Sequence, residues 1–206
     1  MTIEESEVAQ EISFSQELAR KATHMGALVI PGGYYVLKLS RIEVLAIMVP
    51  IAVLMVLIDI SRLREWAFWR KVARPIISPI IRKHEMDGDF TGATYILITA
   101  CLTIGLFDKP IAIAALAFII VGDSFAAIIG RRWGKHRIGR KSIEGSLGCL
   151  LGTLIVAALT PGLPFSVAAF GAVVATVTEF RSLKIDDNVS VPLVSGLAMM
   201  LLGKVI

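Results

Sequence analysis

The chain is short of charge, of cysteine and of basic residues near its start. Charged types make up 18% of its 206 residues, against about 25% in a typical soluble domain. A water-facing surface of ordinary composition is therefore out of reach. The two cysteines, Cys101 and Cys149, both lie inside apolar runs. That excludes a disulfide framework or a zinc knuckle and leaves them as small, inert hydrophobes. Residues 1–14 hold five acidic or amide side chains and no basic one, so the basic opening of a cleavable secretory signal is missing. What abounds is apolar: 55% of the residues, with a mean hydropathy of +0.74. In water such a chain would expose apolar patches that soluble monomers rarely carry. The composition predicts an integral membrane protein. A net charge of +4 would suggest nucleic acid in a soluble protein, but these cations fall between apolar segments, so no nucleic-acid partner is expected.

Seven apolar segments follow one another, at roughly 26–39, 42–60, 91–107, 110–130, 145–160, 164–179 and 189–206. A bilayer core takes about 20 apolar residues, and the second, third, fourth and seventh segments meet that length. The first is short and interrupted by Pro31-Gly32-Gly33, which predicts either a broken helix or one extended backwards through His24. Lysines and arginines alternate in number between the connections. Two lie in the N-terminal stretch, seven in 61–90, six in 131–141 and two in 181–184, so 17 of the 21 fall on one side and Lys38, Arg41, Lys109 and Lys204 on the other. The positive-inside rule puts the richer side in the cytoplasm. The expected fold is all-α: one polytopic domain over 1–206 with about seven transmembrane helices and a cytoplasmic N-terminus, 1–24 forming a cytoplasmic helix. Trp66, Trp69, Ala73, Ile76 and Ile80 recur at helical spacing among arginines and lysines. This predicts an amphipathic interfacial segment over 62–85, with a basic loop anchored by two tryptophans as the alternative.

Polar residues gather in four clusters on the cation-rich side. Glu17, Arg20, Lys21 and His24 fall on one helical stripe, suited to an anionic substrate or to a salt-bridged interfacial helix. Gly122-Asp123-Ser124 puts a carboxylate inside the fourth segment, where a partner or a function is the default expectation. The run from Gly130 through Gly134, Lys135, Lys141, Ser142 and Glu144 to Gly145 is glycine-rich and cationic and leads into a helix N-terminus. Bare amides, a helix dipole and cations suit phosphate; an ordinary basic loop is the alternative. It is one residue short of a P-loop and lacks the metal-binding hydroxyl. Glu179, Asp186, Asp187 and Asn188 supply oxygen ligands of the kind Mg²⁺ takes beside substrate phosphates. Together they predict a membrane enzyme that handles a phosphorylated ligand at the cytoplasmic interface.

The clusters also resemble a known family. Glu17-x-x-Arg20-Lys21-x-x-His24, Thr91-Gly92-Ala93-Thr94-Tyr95, Gly122-Asp123 through Lys141-Ser142-x-Glu144-Gly145, and Asp186-Asp187-Asn188-x-x-Val191-Pro192-Leu193 are similar to motifs of the dolichol kinase, phytol kinase and CTP-dependent diacylglycerol kinase superfamily. The resemblance implies transfer of the γ-phosphate of CTP to a lipid hydroxyl, with Mg²⁺ or Mn²⁺ held by Asp123 and Asp187, joined by Asp186 and Glu179. It implies phosphate binding by Gly122, Gly130, Gly134, Lys135, Lys141, Ser142, Glu144 and Gly145, and catalytic places for His24, Lys21 and Arg20. Glu17, Thr91, Thr94, Tyr95 and Asn188 would face the acceptor. That acceptor would be a polyprenol, phytol, geranylgeraniol or a diacylglycerol. The superfamily is related to the CDP-diacylglycerol synthases, and a cytidylyltransferase is the alternative enzyme; a transporter is the alternative of another class. The Gly148-x-x-x-Gly152 stripe permits a homodimer.

Overall fold

The computed structural model describes residues 24–67, 69, 89–139, 141–181 and 185–205. Seven helices form there: α1 (Val29–Val36), α2 (Arg41–Leu63), α3 (Gly92–Leu106), α4 (Lys109–Trp133), α5 (Ile143–Leu159), α6 (Phe165–Arg181) and α7 (Asp187–Gly203). Each apolar segment contains one of them. Their starts are written in the sequence. Ser40 and Glu43 form a reciprocal capping box on α2, Thr91 caps α3, Ser142 caps α5 and Asp186 caps α7 through the Asn188 N–H. Each satisfies N–H groups that have no partner inside the helix.

The helices run alternately up and down between two ends. Asp59 and Arg62, near the end of α2, meet Thr91 and Asp89 at the start of α3. At the opposite end Arg41 donates to the Phe107 carbonyl at 2.9 Å, and the Lys109 ammonium donates to the Leu39 carbonyl at 2.7 Å. Lys109 also lies over the Tyr34 ring. Lys141 then joins the start of α5 to the end of α6 and the start of α7. One end thus collects the acidic and cationic clusters, and the other keeps Lys38, Arg41, Lys109 and Lys204.

The central helix is α4, which packs on α1, α3, α5, α6 and α7. Its core is Phe118, packed among Ile104, Val167 and Met199 with many alanines between. The outward faces stay apolar. Ile42, Leu54 and Leu57 on α2, Leu147 and Leu151 on α5, and Val173 and Val177 on α6 are all exposed. Such a surface is unfavourable in water and matches hydrocarbon. Among the described residues, α2 and α4 are long and apolar enough to cross a membrane, by length and composition. The third and seventh segments, expected at spanning length, form helices of 15 and 17 residues.

Three expectations change in detail. Pro31-Gly32-Gly33 does not interrupt the first segment, because α1 runs through it. Pro31 sits in the first turn, where its missing N–H costs nothing. The irregularity lies earlier, where Ala27 and Leu28 bond back only three residues, to His24 and Met25. Arg62 belongs to α2 and is buried against Asp59, so it does not begin the interfacial segment. Glu65 at φ 47° and the Trp66 N–H bond to the Ser61 carbonyl end α2 sharply. Trp66 is exposed and Trp69 buried; the rest of the amphipathic expectation lies largely outside the described residues. Finally, the fold is not purely helical: Arg137–Ile138 pairs antiparallel with Lys141–Ser142 as β1 and β2, in register Arg137 with Ser142. Gly139 at φ 64° makes their turn.

Candidate active site

The middle of α4 at Asp123, the end of α6, the start of α7 and the β2 strand converge on one charged cluster. Lys141 is the hub. Its ammonium lies 2.8 Å from Glu179 Oε1 and 3.1 Å from Asp187 Oδ2, and it donates to the Glu179 carbonyl as well. Burial alone would depress this ammonium, but hydrogen bonding and charge from Glu179, then the charge of Asp187, outweigh it and raise its pKa. Asp187 is raised too. Burial is the main cause, and the Asp123 and Asp186 carboxylates add to it against the pull of Lys141. Asp123, about one-third exposed, also faces His24, whose Nε2 is 3.8 Å from its Oδ2. Asp123, Glu179, Asp187, Lys141 and His24 thus share one site, though five separate stretches supply them.

The glycine-rich run is built around Ser142 and Glu144. The Ser142 hydroxyl is buried and accepts from the Gly145 N–H as the α5 cap. Glu144 accepts from both the ring and the backbone N–H of His136. Those bonds, the His136 ring first, hold the carboxylate down at about 2. Glu144 therefore ties His136 to the start of α5, and Lys135 beside it is exposed. Gly122, Gly130 and Gly145 lie where α4 and α5 touch. A Cβ at Gly130 would stand 3.3 Å from the Gly145 Cα, and one at Gly122 would stand 2.9 Å from Cys149 Sγ.

Thr91 and Thr94, expected to face the acceptor, both bond Asp59. Asp59 Oδ2 accepts from the Thr91 N–H at 2.8 Å, the Thr91 hydroxyl at 3.0 Å and the Thr94 hydroxyl at 2.7 Å. Asp59 is 1% exposed, so this network neutralises a deeply buried charge together with Arg62. The sequence reading passed over Asp59; a lone acid one residue from the end of an apolar segment was its only signal. Tyr95 packs edge-on to Phe90. Asn188 donates to Asp186 Oδ1 at 2.8 Å and lines an apolar pocket between α1, α3 and α4. Glu17, Arg20 and Lys21 lie outside the described residues.

Among the described residues no three His, Cys, Asp or Glu side chains are gathered to enclose a metal ion. The donor chemistry still fits Mg²⁺ in its usual mode, through one or two carboxylates plus substrate phosphates. Among the described residues Glu179 Oε2 is buried with no hydrogen-bond partner, which leaves that oxygen open to a water or an ion.

One end of this helical, apolar protein gathers carboxylates, a lysine and a glycine-rich loop. No family model matches the chain, and no solved structure matches it. An uncharacterized protein of Rickettsia prowazekii is 30% identical over 87% of this chain and 91% of its own length. Phytol kinase of Synechocystis sp. is 33% identical over 58% of each chain. CTP-dependent diacylglycerol kinase 1 of Schizosaccharomyces pombe is 26% identical over 68% of this chain and 64% of its own. The chain thus spans about three-fifths of these named kinases. The chain is similar to members of the polyprenol, phytol and diacylglycerol kinase superfamily.

Proposed function

We propose that the protein is a CTP-dependent lipid-alcohol kinase, a multi-pass protein of seven spans with its charged end in the cytoplasm. The observation that carries this reading is the convergence of Asp123, Glu179, Asp187, Lys141 and His24 at one end of an apolar bundle. The kinases among its relatives support it, and the excess of cations at that end supports the orientation.

In the reaction, the lipid hydroxyl oxygen forms a bond to the γ-phosphorus of CTP. The bridge from that phosphorus to the β-phosphate oxygen breaks, its electron pair leaves with CDP, and the hydroxyl proton passes to the protein. Mg²⁺, when bound, would neutralise phosphate charge. Asp123, Glu179 and Asp187, with Asp186 beside them, are the residues to hold it. Lys141 and Lys135, with Arg20 and Lys21, would take the phosphate oxygens, while Ser142 and Glu144 keep the loop in shape. The His24–Asp123 pair is the proton acceptor, since it joins an imidazole to a carboxylate that stabilises its charged form. Such chemistry rests on positioning and charge, which a fixed cluster supplies. The test is purified protein with γ-labelled CTP and a panel of prenols and diacylglycerol, resolved by lipid chromatography. A labelled lipid with release of CDP is expected. Pyrophosphate release with no label on lipid would overturn the reading.

A further inference from the structure

The loop that follows α4 presents charge and apolar surface together. Arg131, Arg132, Lys135 and Arg137 are all exposed, and no acidic residue stands between Asp123 and Glu144. Among these cations Trp133 is 55% exposed and Ile138 57%, and the Arg132 guanidinium lies 5.3 Å from the centre of the Trp133 ring. The loop is held in place. The Ile143 N–H donates to the His136 carbonyl at 3.0 Å, and the His136 ring bonds Glu144 at 2.7 Å.

Two helices set the height of this surface. α4 has 25 residues, about 37 Å at the helical rise, against a hydrocarbon core about 30 Å thick. Lys109, at its start, is tied to the Leu39 carbonyl at the far end of the bundle. The last turn of α4, which carries Arg131, Arg132 and Trp133, therefore emerges at the level of the lipid head groups. On α5, Ile143, Leu147, Leu151, Ile155 and Leu159 are exposed along one face, a stripe suited to hydrocarbon. The β1–β2 hairpin stands at the top of that stripe, because β2 ends where α5 begins.

We propose that Arg132, Trp133, Arg137 and Ile138 form a docking surface for anionic phospholipid in the leaflet at that end. Cations at this level attract anionic head groups, and a half-exposed indole beside an isoleucine suits the boundary between head groups and chains. A soluble acidic partner would have to displace lipid that already reaches this height. None of the four residues enters the reaction drawn above, so the surface stands apart from it.

Two measurements on the full chain decide the matter. Native mass spectrometry from a neutral detergent, with dioleoylphosphatidylglycerol and dioleoylphosphatidylcholine in equal amounts, should show preferential retention of the anionic lipid. Arg132→Gln and Arg137→Gln should each lower that preference about fivefold, the effect of one cation at an anionic surface. Arg181→Gln, exposed at the same end on α6, should leave it nearly unchanged. In Trp66→Phe/Trp69→Phe protein, Trp133 is the remaining indole. In vesicles containing phosphatidylglycerol, lipid brominated near the head group should quench it more than lipid brominated near the chain end. Equal retention of both lipids, equal losses in all three arginine variants, or a Trp133 that neither lipid quenches overturns the proposal. So does loss of CTP affinity with lipid preference intact, which assigns the arginines to nucleotide. Displacement of the lipid by polyglutamate would give the surface to an acidic protein instead, and sink the lipid assignment too.

Discussion

At the scale of single residues, the energetic weight falls on Lys141. Its ammonium is the counter-charge for a Glu179 side chain that is 9% exposed, and removing one partner of such a pair leaves a charge stranded. Fully buried pairs cost about 3–5 kcal/mol when broken. Lys141 is 21% exposed and Asp187 36%, so about 2–3 kcal/mol is expected for Lys141→Ala. For a chain of this size that lowers the thermal midpoint by roughly 5–10 °C. Adding Glu179→Gln should recover most of the midpoint while activity stays lost; no recovery would mean the lysine acts through packing alone. Asp123→Asn and Asp187→Asn should each cut turnover by about a thousandfold, the scale of a major charge stabiliser in phosphoryl transfer. Their effects should be far from additive if both serve one cluster. Near-normal activity in either variant would remove that carboxylate from the site. The sequence made Asp123 legible because a carboxylate inside an apolar run needs a reason. Lys141 and Asp187 were legible because each stands in a dense polar cluster between apolar runs. Asp59 was illegible because its reason, the Thr91 N–H, lies 32 positions away.

At the scale of elements, hydrophobic runs located each described helix, while the close fit of α4 against α5 could not be read from the glycines alone. Glycine, serine and lysine before a helix are the same letters whether they cradle phosphate or let two helices touch. Only the α4–α5 contact distinguishes them. A Cβ at Gly148 would meet Ile129 Cδ1 at 2.7 Å and the Phe125 carbonyl oxygen at 3.0 Å. The isoleucine can turn aside, but the backbone oxygen cannot. Gly148→Ala should therefore destabilise by about 1–3 kcal/mol, as overpacking does. Gly105, near the end of α3, would place its Cβ in open space. Gly105→Ala should stabilise by about 0.5–1 kcal/mol through helix propensity and a stiffer unfolded chain. Thermal midpoints of the two variants in one detergent check both signs. Equal, neutral effects would mean that α4 and α5 do not approach this closely.

At the scale of the whole molecule, the alternation of helices divides the charges before any membrane is considered. Arg62, Arg64, Arg131, Arg132, Lys135, Arg137, Lys141 and Arg181 stand at the end that holds the charged cluster, and Lys38, Arg41, Lys109 and Lys204 at the other. The hydrogen bonds that tie Arg41 and Lys109 to neighbouring loops fix those cations at the far end, so the asymmetry belongs to the fold as well as the sequence. In a cell the richer end should remain cytoplasmic, which is also where CTP is found if the kinase reading holds. Single cysteines placed at Lys135 and Arg181, and at Pro161 and Lys204, report the two ends. All four positions are exposed, and Cys101 and Cys149 are first replaced by alanine to clear the background. A maleimide that cannot cross membranes, added to sealed inverted vesicles, should label positions 135 and 181 within minutes. Positions 161 and 204 should react only after the vesicles are opened. Should 135 and 181 react from opposite faces, Lys141 and Glu179 could not share one site, and the proposed chemistry would fall with the topology.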